Sequence, residues 1–211
     1  MVYLRCVKTR DDSSSHNLHN VNNFVKVLGE CEKMEKNKFI ALVGASATGK
    51  STVERILQEE YGFHSCISMT TRPKRDYEIN GKDYYFTTKE DIDQLEQEGL
   101  LAERTCFNGW HYGLTVAEVE DGGVVVIEPN GLQQIIKNVG RENVFVVYLT
   151  YPDKDRLIRS LVARNDNDVD EVIRRFQADK NDMQGMEWVA DVTIVNHDST
   201  KTAELIYKMV K

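Results

Sequence analysis

Gly44-Ala45-Ser46-Ala47-Thr48-Gly49-Lys50-Ser51 satisfies the pattern G-x-x-x-x-G-K-[ST] at every fixed position. Directly before it, Phe39-Ile40-Ala41-Leu42-Val43 is a continuous apolar run, as expected of a parallel strand buried on both faces. Directly after it, the stretch to Tyr61 places Val53, Ile56 and Leu57 at helical spacing. Strand, glycine-rich loop and helix N-terminus together aim backbone N–H groups and a helix dipole at one anion. The sequence therefore predicts that Gly44, Ala45, Ser46, Ala47, Thr48 and Gly49 wrap the phosphates of a nucleoside triphosphate. Lys50 would reach the terminal phosphates, and Ser51, with Thr52 beside it, would open the helix with its hydroxyl on Mg²⁺.

The rest of the composition narrows the class. With 27 basic and 34 acidic residues the net charge is −7, and the pI is near 5.3. Sequence-independent nucleic-acid binding needs a net basic face, so nucleic acid is excluded as a general partner. No apolar run is long enough to cross a bilayer, and the N-terminus lacks the apolar core of a secretion signal. A cytoplasmic protein without a membrane partner, acting as a monomer or homodimer, is expected. Cys6, Cys31, Cys66 and Cys106 form no C-x-x-C pair, so the spacing predicts reduced thiols and no zinc or redox motif.

Residues 1–36 differ in character from the remainder of the chain. Asp11-Asp12-Ser13-Ser14-Ser15-His16-Asn17 is polar and breaker-rich, and only Phe24 to Leu28 hints at an element. This stretch reads as a poorly ordered N-terminal extension ahead of a domain over 37–211, with residues 1–33 an upstream extension or alternative start dispensable for chemistry. Within that domain Val124 to Ile127, Val144 to Leu149 and Asp191 to Val195 are strand-like. Helical patterns lie around 133–137, 154–163, 169–183 and 200–209. Such alternation predicts an α/β fold, a parallel sheet of the phosphate-loop type flanked by helices. Between about 68 and 115 the rhythm changes to short β-like pieces and one helix, read as a small inserted mixed α/β subdomain that binds a second substrate.

That insertion carries a concentrated charge. Thr70-Thr71-Arg72-Pro73-Lys74-Arg75 sets three cations within four residues of an acidic chain, followed by Tyr84-Tyr85-Phe86 and Trp110-His111-Tyr112-Gly113. Guanidinium forks and phenol hydroxyls suit a compact anion such as a monophosphate.

With these residues in place, the chain resembles the guanylate kinases, phosphate-loop nucleoside monophosphate kinases. The resemblance rests on the loop at Gly44 to Ser51, on Ser68-Met69-Thr70-Thr71-Arg72-Pro73-Lys74-Arg75 and on Asn80-Gly81-Lys82-Asp83-Tyr84-Tyr85-Phe86. Glu103, Tyr112-Gly113 and Ile194-Val195-Asn196 add to it. It implies Mg²⁺-dependent transfer of the γ-phosphoryl of ATP to GMP or dGMP. Arg72, Arg75, Tyr84 and Tyr112 would hold the acceptor phosphate, and Ser68 and Glu103 would read guanine. Arg164 and Arg175 would be catalytic arginines of a lid over about 159–175, and Asn196 would lie by the adenine of ATP. The chain departs from the resemblance at three points. Leu114 stands where the family carries Ser or Thr, and Glu128-Pro129-Asn130 replaces a pair of aspartates; Glu128 keeps a carboxylate at the end of a strand, suited to the acceptor side. Ala47 stands in the loop where glycine is common, which the pattern permits. These departures leave open another nucleoside monophosphate or a ribose phosphate as acceptor. A non-catalytic binding module is a further alternative, opposed by the intact loop, and no N-K-x-D motif supports a GTPase switch.

Overall fold

The computed structural model describes residues 2–4, 39–107, 109–152, 177 and 181–211. The apolar run Phe39–Val43 is strand β2, set in a five-stranded main sheet whose order is β1-β9-β8-β2-β7. Its neighbours β7 (Gly123–Val126) and β8 (Val144–Thr150) run parallel to it, and β9 (Val192–Val195) continues the parallel set beyond β8. Because side chains alternate along a strand, Phe39, Ala41 and Val43 enter one core and Ile40 and Leu42 the other. The second core is closed by α1 (Lys50–Tyr61), which buries Val53, Ile56 and Leu57, and by α6 (Ser199–Val210), which buries Ala203 and Ile206. The first is closed by α4 (Pro129–Val139) through Leu132 and Ile135.

A second sheet, order β4-β3-β6-β5, is built from β3 (Met69–Thr70), β4 (Tyr85–Phe86), β5 (Leu101–Phe107) and β6 (Trp110–Thr115). Helix α2 (Lys89–Gln97) precedes β5 and starts with a reciprocal capping box, Thr88 against Asp91. Short α3 (Val116–Glu120) leads back to β7, and α5 (Met186–Val189) precedes β9. Ala102 and Leu114 of the second sheet join the core under α4, so the two sheets share apolar packing.

Several sequence expectations are corrected. The pattern around 133–137 grows into α4 over Pro129–Val139, because Glu128 takes the N-cap and Pro129 the first turn, where a missing N–H costs nothing. Strand β6 and helix α3 lie where no element was read. The N-terminal stretch contributes Val2–Leu4 as β1, antiparallel to β9 at the sheet edge, with Val2 opposite Ile194. The polar composition beyond Asp11 had hidden that short apolar start. The helical patterns at 154–163 and most of 169–183 lie outside the described residues.

Candidate active site

The loop after β2 is shaped by close backbone contact. A Cβ at Gly44 would sit 2.3 Å from the Leu149 carbonyl oxygen, and one at Gly49, with φ 89°, would sit 2.4 Å from Asn196 Nδ2. Both positions require glycine. Ala47 takes φ 62° with a side chain, a left-handed conformation that costs roughly 1–2 kcal/mol for a non-glycine residue. Thr48 ties the turn by donating from Oγ1 to the Ala45 carbonyl at 2.9 Å. Lys50 Nζ donates to the carbonyls of Gly44 at 2.7 Å and Ala45 at 2.8 Å, so the ammonium is folded back onto the start of the loop. Ser51 is exposed in the first turn of α1, and its hydroxyl makes no hydrogen bond among the described residues.

Asn196, assigned by resemblance to the ATP site, is bonded to the back of the loop. It is 5% exposed. Its Nδ2 donates to the Thr48 carbonyl at 2.7 Å and approaches Ser199 Oγ at 3.2 Å, while its Oδ1 accepts from Thr202 Oγ1 at 3.0 Å. With its amide hydrogens engaged there, Asn196 fixes the loop to the start of α6. Replacing Asn196 by Ala strands the buried Thr48 carbonyl and the Thr202 hydroxyl. The expected cost is about 1–3 kcal/mol of stability, together with weaker nucleoside triphosphate binding, read by thermal unfolding and calorimetric titration.

The second sheet organises the cation cluster. Thr70 Oγ1 and the Thr71 N–H both donate to the His111 carbonyl, at 3.1 and 3.0 Å, and Thr71 Oγ1 accepts from the His111 N–H at 2.9 Å. The paired threonines thus stitch β3 to β6, which sets Tyr112 opposite Thr70. The turn before β4 is held by Asp83, which accepts from the Ile79 N–H at 2.7 Å, and by Asn80, which accepts from the Phe86 N–H at 2.9 Å. Tyr84 is thereby delivered to a ring–ring distance of 6.0 Å from Tyr112, with the Arg72 guanidinium 5.6 Å from its own ring centre.

Arg72 has a partner that the sequence reading missed. Glu78, 6% exposed, takes both guanidinium arms, at 2.6 and 3.2 Å, and also the Arg75 N–H at 2.8 Å. The hydrogen bonds from Arg72 hold the Glu78 carboxyl below the usual range despite its burial. The pair therefore contributes its stabilisation at neutral pH and loses it only as pH falls through that lowered value. Arg75 is exposed and donates to the Tyr77 hydroxyl at 2.9 Å.

Glu103 sits on β5 beside the N-terminus of α4: a Cβ added at Gly131 would lie 3.2 Å from Glu103 Cγ. Its partly buried carboxylate makes no hydrogen bond among the described residues. Burial, and then the charge of nearby Glu128, push its pKa up to about 7. Such a group is an acceptor without a donor among the described residues. Ser68 lies on the segment entering β3, its carbonyl taken by the Tyr85 N–H at 3.0 Å. Glu128 is exposed at the α4 N-cap and makes no side-chain capping bond. Leu114 is 1% exposed and belongs to the core with Ala102 and Leu132, so the departure at this position is an apolar packing choice. Glu54 of α1 was also missed in the sequence: its carboxylate accepts from the Val126 N–H at 3.1 Å and fixes α1 to the end of β7. Arg164 and Arg175 lie outside the described residues.

Comparison with known proteins converges on one family. The guanylate kinase family model matches residues 36–211. A guanylate kinase of Streptococcus pyogenes serotype M3 is 33% identical over 84% of this chain and 86% of its own. One from Lactococcus lactis is 32% identical over 84% and 88%. The crystal structure of guanylate kinase from Anaplasma phagocytophilum superimposes with a TM-score of 0.60 at 23% identity, covering 85% of this chain and 87% of that one.

Proposed function

This chain belongs to the guanylate kinase family, and from that membership we propose how its own residues carry transfer of the γ-phosphoryl of ATP to GMP or dGMP. An oxygen of the acceptor phosphate attacks the γ-phosphorus, the bond to the β-phosphate oxygen breaks, and ADP leaves with the electron pair. Such a reaction asks little covalent work of the protein, so positioning and placed charge are what its residues supply.

The loop from Gly44 to Gly49 receives the ATP phosphates on backbone N–H groups, and Thr52 follows on the same turn. Lys50 exchanges its two carbonyl partners for phosphate oxygens. The Ser51 hydroxyl, exposed and without a partner among the described residues, and the Glu128 carboxylate are oxygen donors of the kind a hard cation takes. When bound, Mg²⁺ would neutralise charge between the β- and γ-phosphates. Arg72, braced by Glu78, and Arg75 hold the acceptor phosphate with the hydroxyls of Tyr84 and Tyr112. Arg164 and Arg175 would add positive charge around the transferring group. Every residue in this scheme comes from one chain, so a monomer suffices and a homodimer is compatible. Among the described residues no helix is long and apolar enough to cross a membrane, which fits work on the cytoplasmic nucleotide pool.

The observation that carries the base assignment is the partly buried Glu103, whose carboxylate makes no hydrogen bond among the described residues. A carboxylate accepts from both N1–H and the 2-amino group of guanine; adenine presents an acceptor at N1 and no 2-amino group. Ser68 lies on the neighbouring strand entry as a second contact. The test is ADP release with ATP and Mg²⁺ against GMP, dGMP, IMP, AMP, CMP and UMP. Turnover is expected with GMP and dGMP, and kcat/KM for AMP at least about 100-fold lower, since an unpaired carboxylate rejects the wrong base strongly. Comparable turnover with AMP or a pyrimidine nucleotide would overturn the assignment.

A further inference from the structure

Away from the phosphate loop, two chain segments cross between the sheets. Outbound, residues 63–67 lead from α1 to β3; inbound, α3 and residues 121–122 lead from β6 to β7. The segments are laced together. The His64 carbonyl accepts from the Val124 N–H at 3.1 Å, and Glu118 Oε2 accepts from the Ile67 N–H at 3.0 Å. The Cys66 thiol faces the carbonyls of Glu118 and Gly122 at 3.6 and 3.7 Å. At this crossing the ligand atoms of His64, Cys66 and Glu118 lie within 4.8 Å of one another. His64 Nε2 is 3.6 Å from Glu118 Oε2, and on the other side of the ring Nδ1 is 3.6 Å from Asp121 Oδ2. A cleft of about 520 Å³, lined by His64, Ser65, Ile67, Glu118 and Asp121, opens onto the cluster.

We propose that His64, Cys66 and Glu118 form a site for a divalent transition metal of the zinc class, bridging the two segments that cross between the sheets. The donor set decides the class of ion: sulfur, imidazole nitrogen and carboxylate oxygen together suit zinc and cobalt, whereas Mg²⁺ takes oxygen ligands. Tetrahedral ligation with bonds of about 2.0–2.3 Å puts ligand atoms about 3.3–3.8 Å apart. Atoms within 4.8 Å of one another therefore need to close by about 1 Å, and the His64 and Glu118 side chains, 35% and 20% exposed, have room to do so. Asp121 supplies what a metal-bound imidazole needs on its far side, a carboxylate facing the other ring nitrogen to fix tautomer and orientation. The fourth position faces the cleft, where water can complete the shell. As the metal binds, the thiol proton leaves to solvent. The ion would tie residues 64 and 66 to residue 118, and so cross-link the two segments that run between the sheets.

The test is titration of the full chain with Co²⁺ in excess Mg²⁺. One equivalent is expected to produce a thiolate-to-cobalt charge-transfer band with intense tetrahedral d–d absorption, displaced by Zn²⁺. The band should vanish in Cys66→Ser and in His64→Gln, the second variant guarding against misfolding of the first. Asp121→Asn should weaken binding about 10–100-fold, as loss of the outer carboxylate does elsewhere. No band in the unaltered chain, or a band that survives both Cys66→Ser and His64→Gln, would overturn the site. These readouts need no nucleotide, so they stand apart from the kinase reading. Zn²⁺ should also slow GMP turnover reversibly, an effect that rests on the kinase activity, is relieved by a chelator and is absent in His64→Gln.

Discussion

Replacing Lys50 by methionine should lower kcat by about two to three orders of magnitude, the loss typical of removing one placed donor from a charged transition state, while the protein stays folded. In the structure the Lys50 ammonium is held by the Gly44 and Ala45 carbonyls. On the proposed function those two oxygens give way to phosphate oxygens when ATP enters, and the side chain would then already point along its working direction. The Ala45 carbonyl keeps Thr48 Oγ1 as a partner in the variant, and the stability cost is confined to about 1 kcal/mol for the lost bonds. Methionine preserves the length and apolar stem of lysine, which isolates the charge. Single-turnover kinetics and calorimetric ATP binding separate the effects: the charge matters most where negative charge moves, so kcat should fall by a larger factor than ATP affinity. A variant turning over within a few-fold of the parent would remove Lys50 from the transferring phosphate.

The loop could be read from the sequence because its constraints are local: every fixed residue lies within one turn, and its flanking strand and helix are each buried in a way that leaves a simple apolar pattern. The parallel strands β2, β7 and β8 were equally open to reading, being covered on both faces. Strand β6 was not, since Trp110 is exposed and His111 and Tyr112 are half-covered while Gly113 and Leu114 are buried; no two-residue alternation survives such a mixture. The supports of the site were the least visible part. Asn196 meets a carbonyl 148 residues away in the chain, and Glu78 meets Arg72 only because a turn folds it back. The basic cluster announced itself by its charge, but its counter-charge looked like an ordinary surface glutamate. The threonines of T-T-R gave no hint that they join two strands.

Replacing Glu103 by glutamine should weaken GMP binding and stabilise the protein at the same time. Burial and the charge of Glu128 hold the Glu103 carboxyl at about 7, against an ordinary value of 4.5. The folded chain therefore retains a proton that the unfolded chain releases. By linkage, stability falls as pH rises from 4.5 to about 7 and stays reduced above that. At about 1.4 kcal/mol for each pH unit of that gap, and allowing for the polarity of the amide that replaces it, Glu103→Gln should gain about 1–3 kcal/mol at pH 8. The gain should disappear below pH 4.5, a dependence that thermal unfolding across the range will show. Binding moves the other way. Guanine offers two donors, N1–H and the 2-amino group, and only the ionised carboxylate accepts both. GMP binding should therefore tighten as pH rises toward 7 and release a proton when measured below that value. The acceptor phosphate titrates near pH 6 as well; its effect persists in the glutamine variant, whereas the step belonging to Glu103 vanishes. Glutamine turns one acceptor into a donor facing a donor, which should raise KM for GMP about 10- to 200-fold and leave KM for ATP near its original value. A variant with unchanged GMP affinity and an unchanged pH profile would take Glu103 out of the base pocket. A variant that bound GMP weakly without gaining stability would keep it there and show instead that Glu103 finds a partner in the ligand-free chain. Both signs together would mean that this chain reads guanine with a carboxylate whose charge burial disfavours, and that the nucleotide supplies donors it lacks among the described residues.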